Sequence, residues 1–124
     1  MEIGMTYTLE RTAREQDSAA VMGSGAVHVF ATPAMILLME EAAAFCVQSE
    51  LPEGSTTVGT AVNVQHVSAT PIGAKVSAIT RLVGINGRLL EFEVEAFDEK
   101  GLIGKGTHQR AVIDVQRFMS KFDK

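Results

Sequence analysis

The chain has 124 residues, 46% of them hydrophobic and 21% charged, which suits one domain, residues 1–124, able to bury a core without disulfides or metal. Fifteen acidic side chains against eleven Lys and Arg leave a net charge of −4 with no basic cluster, which argues against a nucleic-acid or anionic-membrane surface. One cysteine excludes a disulfide framework, and neither the polar start MEIGMTYTLERTARE nor any apolar run reads as a signal peptide or a membrane span, so a cytoplasmic protein is expected.

Residues 5–13 alternate Tyr7, Leu9 and Arg11 against Thr6, Thr8 and Glu10, the period of a first, edge-like strand. Residues 14–25 are polar and then Gly-rich and predict a connection, with residues 26–31 as a short extended piece entering a helix. The run FATPAMILLMEEAAAFCVQSE, residues 30–50, is the only long helix the sequence predicts. Thr32 is placed as its N-cap and Pro33 as its first helical residue. Met35, Leu38, Met39, Ala42, Phe45 and Cys46 form one apolar face, yet Ala34, Ile36, Leu37, Ala43 and Val47 make the remainder apolar too. Such a helix is expected to be buried on almost every side, with Cys46 as a small core hydrophobe. Pro52 and Gly54 end it.

The second half changes period. Residues 56–70 place Val58, Val62, Val64 and His66 on one parity and Thr57, Gly59, Asn63 and Gln65 on the other, as a strand with one buried face requires. Pro71-Ile72-Gly73 is a turn, residues 75–85 are a strand, and Asn86-Gly87 is the strongest hairpin signal in the chain. In residues 89–98, Leu90, Phe92, Val94 and Ala96 point inward, leaving Glu91, Glu93 and Glu95 in water. Residues 102–118 form a last strand, bent or bulged at Gly104 and Gly106. The order strand, helix, four strands predicts an α+β fold, an antiparallel β-sheet wrapped around one long central helix. Its edges and flank are left uncovered, so a symmetric homodimer is expected.

Three polar positions stand in apolar settings: Thr32, the pair Glu40 and Glu41, and His66 on the valine-lined parity of its strand. An N-cap, a structural acid and a core histidine would account for them singly. Together, a hydroxyl, a carboxylate and an imidazole are the parts of an acyl-transfer site, with either glutamate able to serve. His28, His66 and His108 match no common zinc spacing, so neither metal nor another cofactor is expected. Gly23-Ser24-Gly25 is a flexible turn, and no phosphate-binding glycine motif is present.

The runs Ala31-Thr32-Pro33-Ala34-Met35, Met39-Glu40-Glu41-Ala42, Thr57-Val58-Gly59-Thr60, His66, Thr70-Pro71-Ile72-Gly73, Asn86-Gly87-Arg88 and residues 104–110 (GKGTHQR) resemble the fluoroacetyl-CoA thioesterase-like group of hot-dog proteins. The resemblance covers nearly the whole chain. It implies the hot-dog fold, a homodimer with its pocket at or beside the interface, and hydrolysis of an acyl-coenzyme A thioester. It carries the catalytic threonine, glutamate and histidine onto Thr32, Glu40 and His66, choosing Glu40 over Glu41, and places Gly59 and Arg110 near the substrate. Arg88, Lys105 and Arg110 are candidate partners for the coenzyme A phosphates. The fluoroacetate-specific enzyme closes its pocket with phenylalanines before the helix, whereas residues 21–27 here are VMGSGAV. A general short- or medium-chain thioesterase is therefore expected. The competing reading is a non-catalytic hot-dog module that binds acyl-CoA or a protein partner.

Overall fold

The computed structural model describes residues 1–123. Five strands, β1 (Thr6–Thr12), β2 (Ser55–His66), β3 (Lys75–Asn86), β4 (Leu89–Asp98) and β5 (Gly101–Asp114), form one antiparallel sheet in the order β1-β3-β4-β5-β2. A 3₁₀ turn at Glu15–Asp17 and a single helical turn, α1 (Ala19–Met22), lead into α2 (Thr32–Gln48), and α3 (Val115–Ser120) closes the chain. The sheet curls around α2, which packs against β1, β2, β3 and β4. This is the α+β arrangement the sequence predicts.

The core follows from the period-two strands. Leu9, Val76, Ala78, Leu82, Leu90, Phe92, Val94 and Ala96 bury against Ala34, Met35, Leu38, Met39, Ala42, Ala43, Cys46 and Val47 of α2. Phe92 is fully buried, and truncating such a side chain to Ala costs about 3–5 kcal/mol. The helix is not covered all round: Leu37 and Phe45 remain about half exposed, Phe45 resting on Tyr7 of β1. At the other side of the sheet β2 is an open edge, with residues 59–63 exposed.

Several boundaries differ from the sequence reading. Ala31, not Thr32, occupies the N-cap, so Thr32 and Pro33 are the first two helical residues and no side chain caps the helix. The hairpin between β3 and β4 turns on Gly87 and Arg88, flanked by the pair Asn86 and Leu89. Only Gly87 has a positive φ, 61°, the signature of a II′ turn and not of the Asn-Gly I′ turn. The last strand stops at Asp114, whose carboxylate accepts the Arg117 N–H at 2.9 Å and starts α3, because Asp is a better helix cap than a strand residue. Its irregularity falls at Ile103, beside Gly104: Ala96 faces Gly104 but Phe97 faces Leu102.

The most consequential departure lies in β2. Gly59 pairs with Arg110 and Ala61 with Gln109, so Thr60 is an extra residue, a bulge whose hydroxyl donates to the Gln109 side chain at 2.9 Å. A bulge exchanges the two faces of a strand beyond it. Thr57 and Gly59 thus share the helix side with Val62, Val64 and His66, where strict alternation would have set them on the opposite side.

Candidate active site

Two clusters form along α2. At its start, Thr32 Oγ1 and His66 Nδ1 are hydrogen bonded at 2.8 Å, joining the first helical residue to the last residue of β2. Backbone geometry sets this pair. His66 faces Gly104 across the β2–β5 ladder, and a Cβ on Gly104 would run into the Met35 thioether. Glycine there lets the first turn of α2 lie against β5, bringing Thr32 within reach. Incoming chain is tied down by Phe30 N–H to the Thr70 carbonyl and Ala31 N–H to the Asp17 carbonyl, each 2.9 Å. A cavity of about 280 Å³ opens here between Ala19, Ser24, Phe30, Thr32, His66 and Ser68.

The His66 ring is partly buried. Burial disfavours its imidazolium and holds its pKa below 6.5. Its Nδ1 is joined to the Thr32 hydroxyl, the Ser68 backbone beside the ring partly offsets the effect of burial, and Nε2 makes no well-formed hydrogen bond among the described residues. At this helix start the Ala31 N–H is bonded to the Asp17 carbonyl, the Met35 N–H to the Ala31 carbonyl, and Pro33 has no N–H.

Two turns along the helix, Glu40 lies beside Gly59 and Arg110. A Cβ on residue 59 would stand 2.7 Å from Glu40 Oε2, so only glycine leaves room for the carboxylate against the strand. Arg110 Nη1 is 3.7 Å from the same oxygen. The Arg110 side chain is almost fully enclosed, donating from Nε to Thr57 Oγ1 at 2.7 Å and from Nη2 to the Thr57 carbonyl at 3.0 Å. Its Nη1 lies 3.0 Å from Nε2 of His108, a buried histidine whose Nδ1 is 2.7 Å from the Ala61 carbonyl. Burial is also the main reason the His108 pKa lies below 6.5.

The remaining candidates fall elsewhere. Glu41 lies 4.0 Å from Arg11 on the other flank of the helix. Arg88 is exposed in the β3–β4 turn, its carbonyl accepting from Val112 N–H. Lys105, a candidate phosphate partner, sits on the face of β5 turned away from α2, in a trough with Gln65 and Glu95, because it alternates with Gly104 and Gly106. His28 pairs with Glu15 on the surface. Among the described residues no three His, Cys, Asp or Glu side chains are grouped to hold a metal. Buried Cys46 has its thiol pKa raised by burial, consistent with a packing role. Sequence reading missed His108 and Thr57 as members of the Arg110 cluster. The signal available for His108 was its period-two spacing from Arg110.

A five-stranded antiparallel sheet curled over one long helix is the hot-dog fold, shared with the thioesterases this chain superposes on. Residues 7–116 match the family described as fluoroacetyl-CoA-specific thioesterase, FlK, and the chain belongs to that family. The fluoroacetyl-CoA thioesterase of Streptantibioticus cattleyicolor is 42% identical over 93 residues, 75% of this chain and 67% of that protein. A crystal structure of the fluoroacetyl-CoA thioesterase FlK superposes with a TM-score of 0.92 at 33% identity, covering 98% of this chain and 95% of that one. A mutant of FlK in which one phenylalanine is replaced by alanine, in complex with fluoroacetate and CoA, has a TM-score of 0.90 at 34% identity, over 95% of this chain and 99% of that one. A thioesterase-superfamily member from Thermus thermophilus has a TM-score of 0.89 at 26% identity, over 98% and 90% of the two chains. No helix among the described residues is long and apolar enough to cross a membrane.

Proposed function

We propose that this protein hydrolyses short- and medium-chain acyl-CoA thioesters, using Thr32, Glu40 and His66. The observation that carries the reading is the 2.8 Å hydrogen bond between Thr32 and His66 at the start of α2. The thioester carbonyl sits at that helix start, where N–H groups and the helix dipole stabilise the oxyanion. Glu40 takes the proton of an attacking water, or attacks the carbonyl itself to form a mixed anhydride that water hydrolyses once the thiol has left. In either route the carbon–sulfur bond breaks, His66 relays a proton to the departing thiolate, and Thr32 positions the acyl group. The products are free acid and coenzyme A.

Thr32 and Glu40 lie eight residues apart on one helix, about 12 Å at 1.5 Å per residue, too far for one carbonyl to meet both within a chain. A homodimer resolves this. Pairing two open β2 edges antiparallel about a two-fold axis lays the Gly59 end of one strand along the His66 end of the other. Glu40, Gly59 and Arg110 of one protomer then approach the Thr32–His66 pair of a second copy, and each dimer holds two composite sites. Arg110 is engaged inside the protein with Thr57, His108 and Glu40, so it serves the carboxylate, while Arg88 at the exposed turn is left for the coenzyme A phosphates.

The test is release of free thiol across a panel of acyl-CoA thioesters, with light scattering on the same sample. Turnover by a dimer is expected. Binding without thiol release would leave a non-catalytic module, and an active monomer near 13.3 kDa would refute the composite site.

A further inference from the structure

His108 is a buried titratable group that the proposed hydrolysis does not use. Two charged side chains face it, Arg110 on its own strand and Glu40 from α2, while Phe92 of β4 lies against the ring at 6.3 Å between centroids. Its hydrogen bonds determine its state. The Ala61 carbonyl can only accept, so Nδ1 carries the proton; Arg110 can only donate, so Nε2 offers its lone pair. The histidine is therefore neutral in one tautomer, and burial and the neighbouring guanidinium both oppose a second proton. The Ala61 carbonyl lies immediately past the bulge at Thr60.

We propose that His108 is a positioning residue for thioester hydrolysis: held as the Nδ1–H tautomer by Ala61, it accepts from Arg110 and fixes the guanidinium that holds Glu40 against Gly59. The inference rests on the assignment of Glu40 as the reacting carboxylate. Arg110 is gripped at Nε and Nη2 by Thr57 and at Nη1 by His108, which leaves Nη1 turned toward the Glu40 oxygen 3.7 Å away. Loss of the His108 acceptor removes one of the three anchors of the planar guanidinium and leaves a buried Nη1 hydrogen without its partner, so the whole group can shift away from Glu40. Protonation of His108 would have the same effect and add a like charge against Arg110. The chemistry is that of an outer residue tuning the group that reacts, where loss commonly costs about 10–100-fold in function.

Two substitutions separate this role from packing. His108→Gln reaches the Nε2 position and keeps an acceptor for Arg110, whereas His108→Asn keeps a donor for Ala61 and loses the acceptor. With acetyl-CoA as substrate, His108→Asn is expected to lower kcat about 10–100-fold with KM changed by less than about threefold. His108→Gln should restore kcat to within about threefold of the wild type. Nitrogen-15 NMR of histidine-labelled wild-type protein should show His108 neutral and protonated at Nδ1 at about pH 7, a readout that needs no variant to fold. Equal activity of the two variants, or an imidazolium or Nε2–H form in the spectrum, would overturn the proposal. Glu40→Gln is measured alongside. If that variant keeps its turnover, the assignment of Glu40 fails; if it is inactive while His108→Asn is not, only the role of His108 does.

Discussion

Gly59 and Glu40 are matched by the absence of a side chain: a Cβ at position 59 would lie 2.7 Å from Glu40 Oε2, with His108 and Arg110 atoms at 3.3 and 3.4 Å behind it. Gly59→Ala is therefore expected to displace the carboxylate. Because strand φ values suit alanine and Gly59 is at an exposed edge, stability should change little while kcat falls about 10–100-fold, the scale of a roughly 1 Å misplacement. Parallel thermal melts and kcat measurements check this; a variant that melts normally with full kcat would show that Glu40 needs no such clearance.

Substitutions along α2 should sort by flank. Glu40→Gln keeps the shape but removes the charge, and a loss of about 100-fold or more in kcat is expected. Glu41→Gln, facing Arg11 on the other side, should stay within about threefold because an exposed pair of this kind contributes at most about 1 kcal/mol. Similar losses in both would sink the assignment. Thr32→Ala should cost turnover but not the ~1 kcal/mol of a lost N-cap, because the Thr32 hydroxyl is bonded to His66 and the cap position is Ala31.

Stability should fall on mild acidification. His66 and His108 both have folded-state pKa values below 6.5, chiefly from burial. In the window just below 6.5 the unfolded chain binds more protons than the folded one, so the stabilisation present above 6.5 is lost as pH falls. Asp17, lowered by its bond to Arg14, and Asp98, lowered by Thr70 and the following backbone N–H groups against an opposing burial effect, add a second decline only below 3.8. Melting temperatures between about pH 7.5 and about pH 5.5 should drop in the wild type and drop less in His108→Gln. A flat wild-type profile would contradict the burial of the two rings.

Selectivity among acyl groups should be broad. Val21 and Val27 are exposed at 61% and 60% and Met22 at 45%, and no aromatic ring stands between them. A roof of Gly, Ser and Ala grips a two-carbon chain weakly, and one missing methylene contact is worth only about 1–3 kcal/mol. The fluoroacetyl-to-acetyl ratio of kcat/KM should match the ratio for alkaline hydrolysis without enzyme, and longer chains should also be hydrolysed. An enzymatic ratio larger by about a thousandfold, ~4 kcal/mol of added discrimination, would reveal a fluorine-selective pocket instead.

The strand periods and the apolar helix were legible because each reflects a repeat the backbone imposes: Leu90, Phe92, Val94 and Ala96 bury as their alternation requires. What the repeat could not show was its interruption. Thr60 carries no chemical mark of a bulge, so Thr57 and Gly59 read as solvent-facing until Arg110 and Glu40 claim them. Family likeness pointed to Thr32, Glu40 and His66, but the division into a Thr32–His66 pair and a separate Glu40 cluster comes from helix rise, which puts two turns between them. The sequence offered His108 no role once zinc spacing failed to fit, because its partners, Ala61 and Arg110, are brought to it only by the folded sheet.

Sheet order also governs when the site can exist. In the sequence β2 precedes β3 and β4, yet its only neighbour in the sheet is β5, so it must wait for residues 101–114 to emerge from the ribosome. Until then a valine-bearing strand has no hydrogen-bonding partner, and closing so long a loop is a slow, non-local event. Gly59 meets Arg110 in the same step that docks β2. The Glu40–Arg110 cluster is thereby coupled to completion of synthesis: a nascent chain ending before residue 101 can build β1, α2 and the β3–β4 hairpin, but it leaves both edges of β2 unpaired and lacks the Arg110 guanidinium that lies beside Glu40.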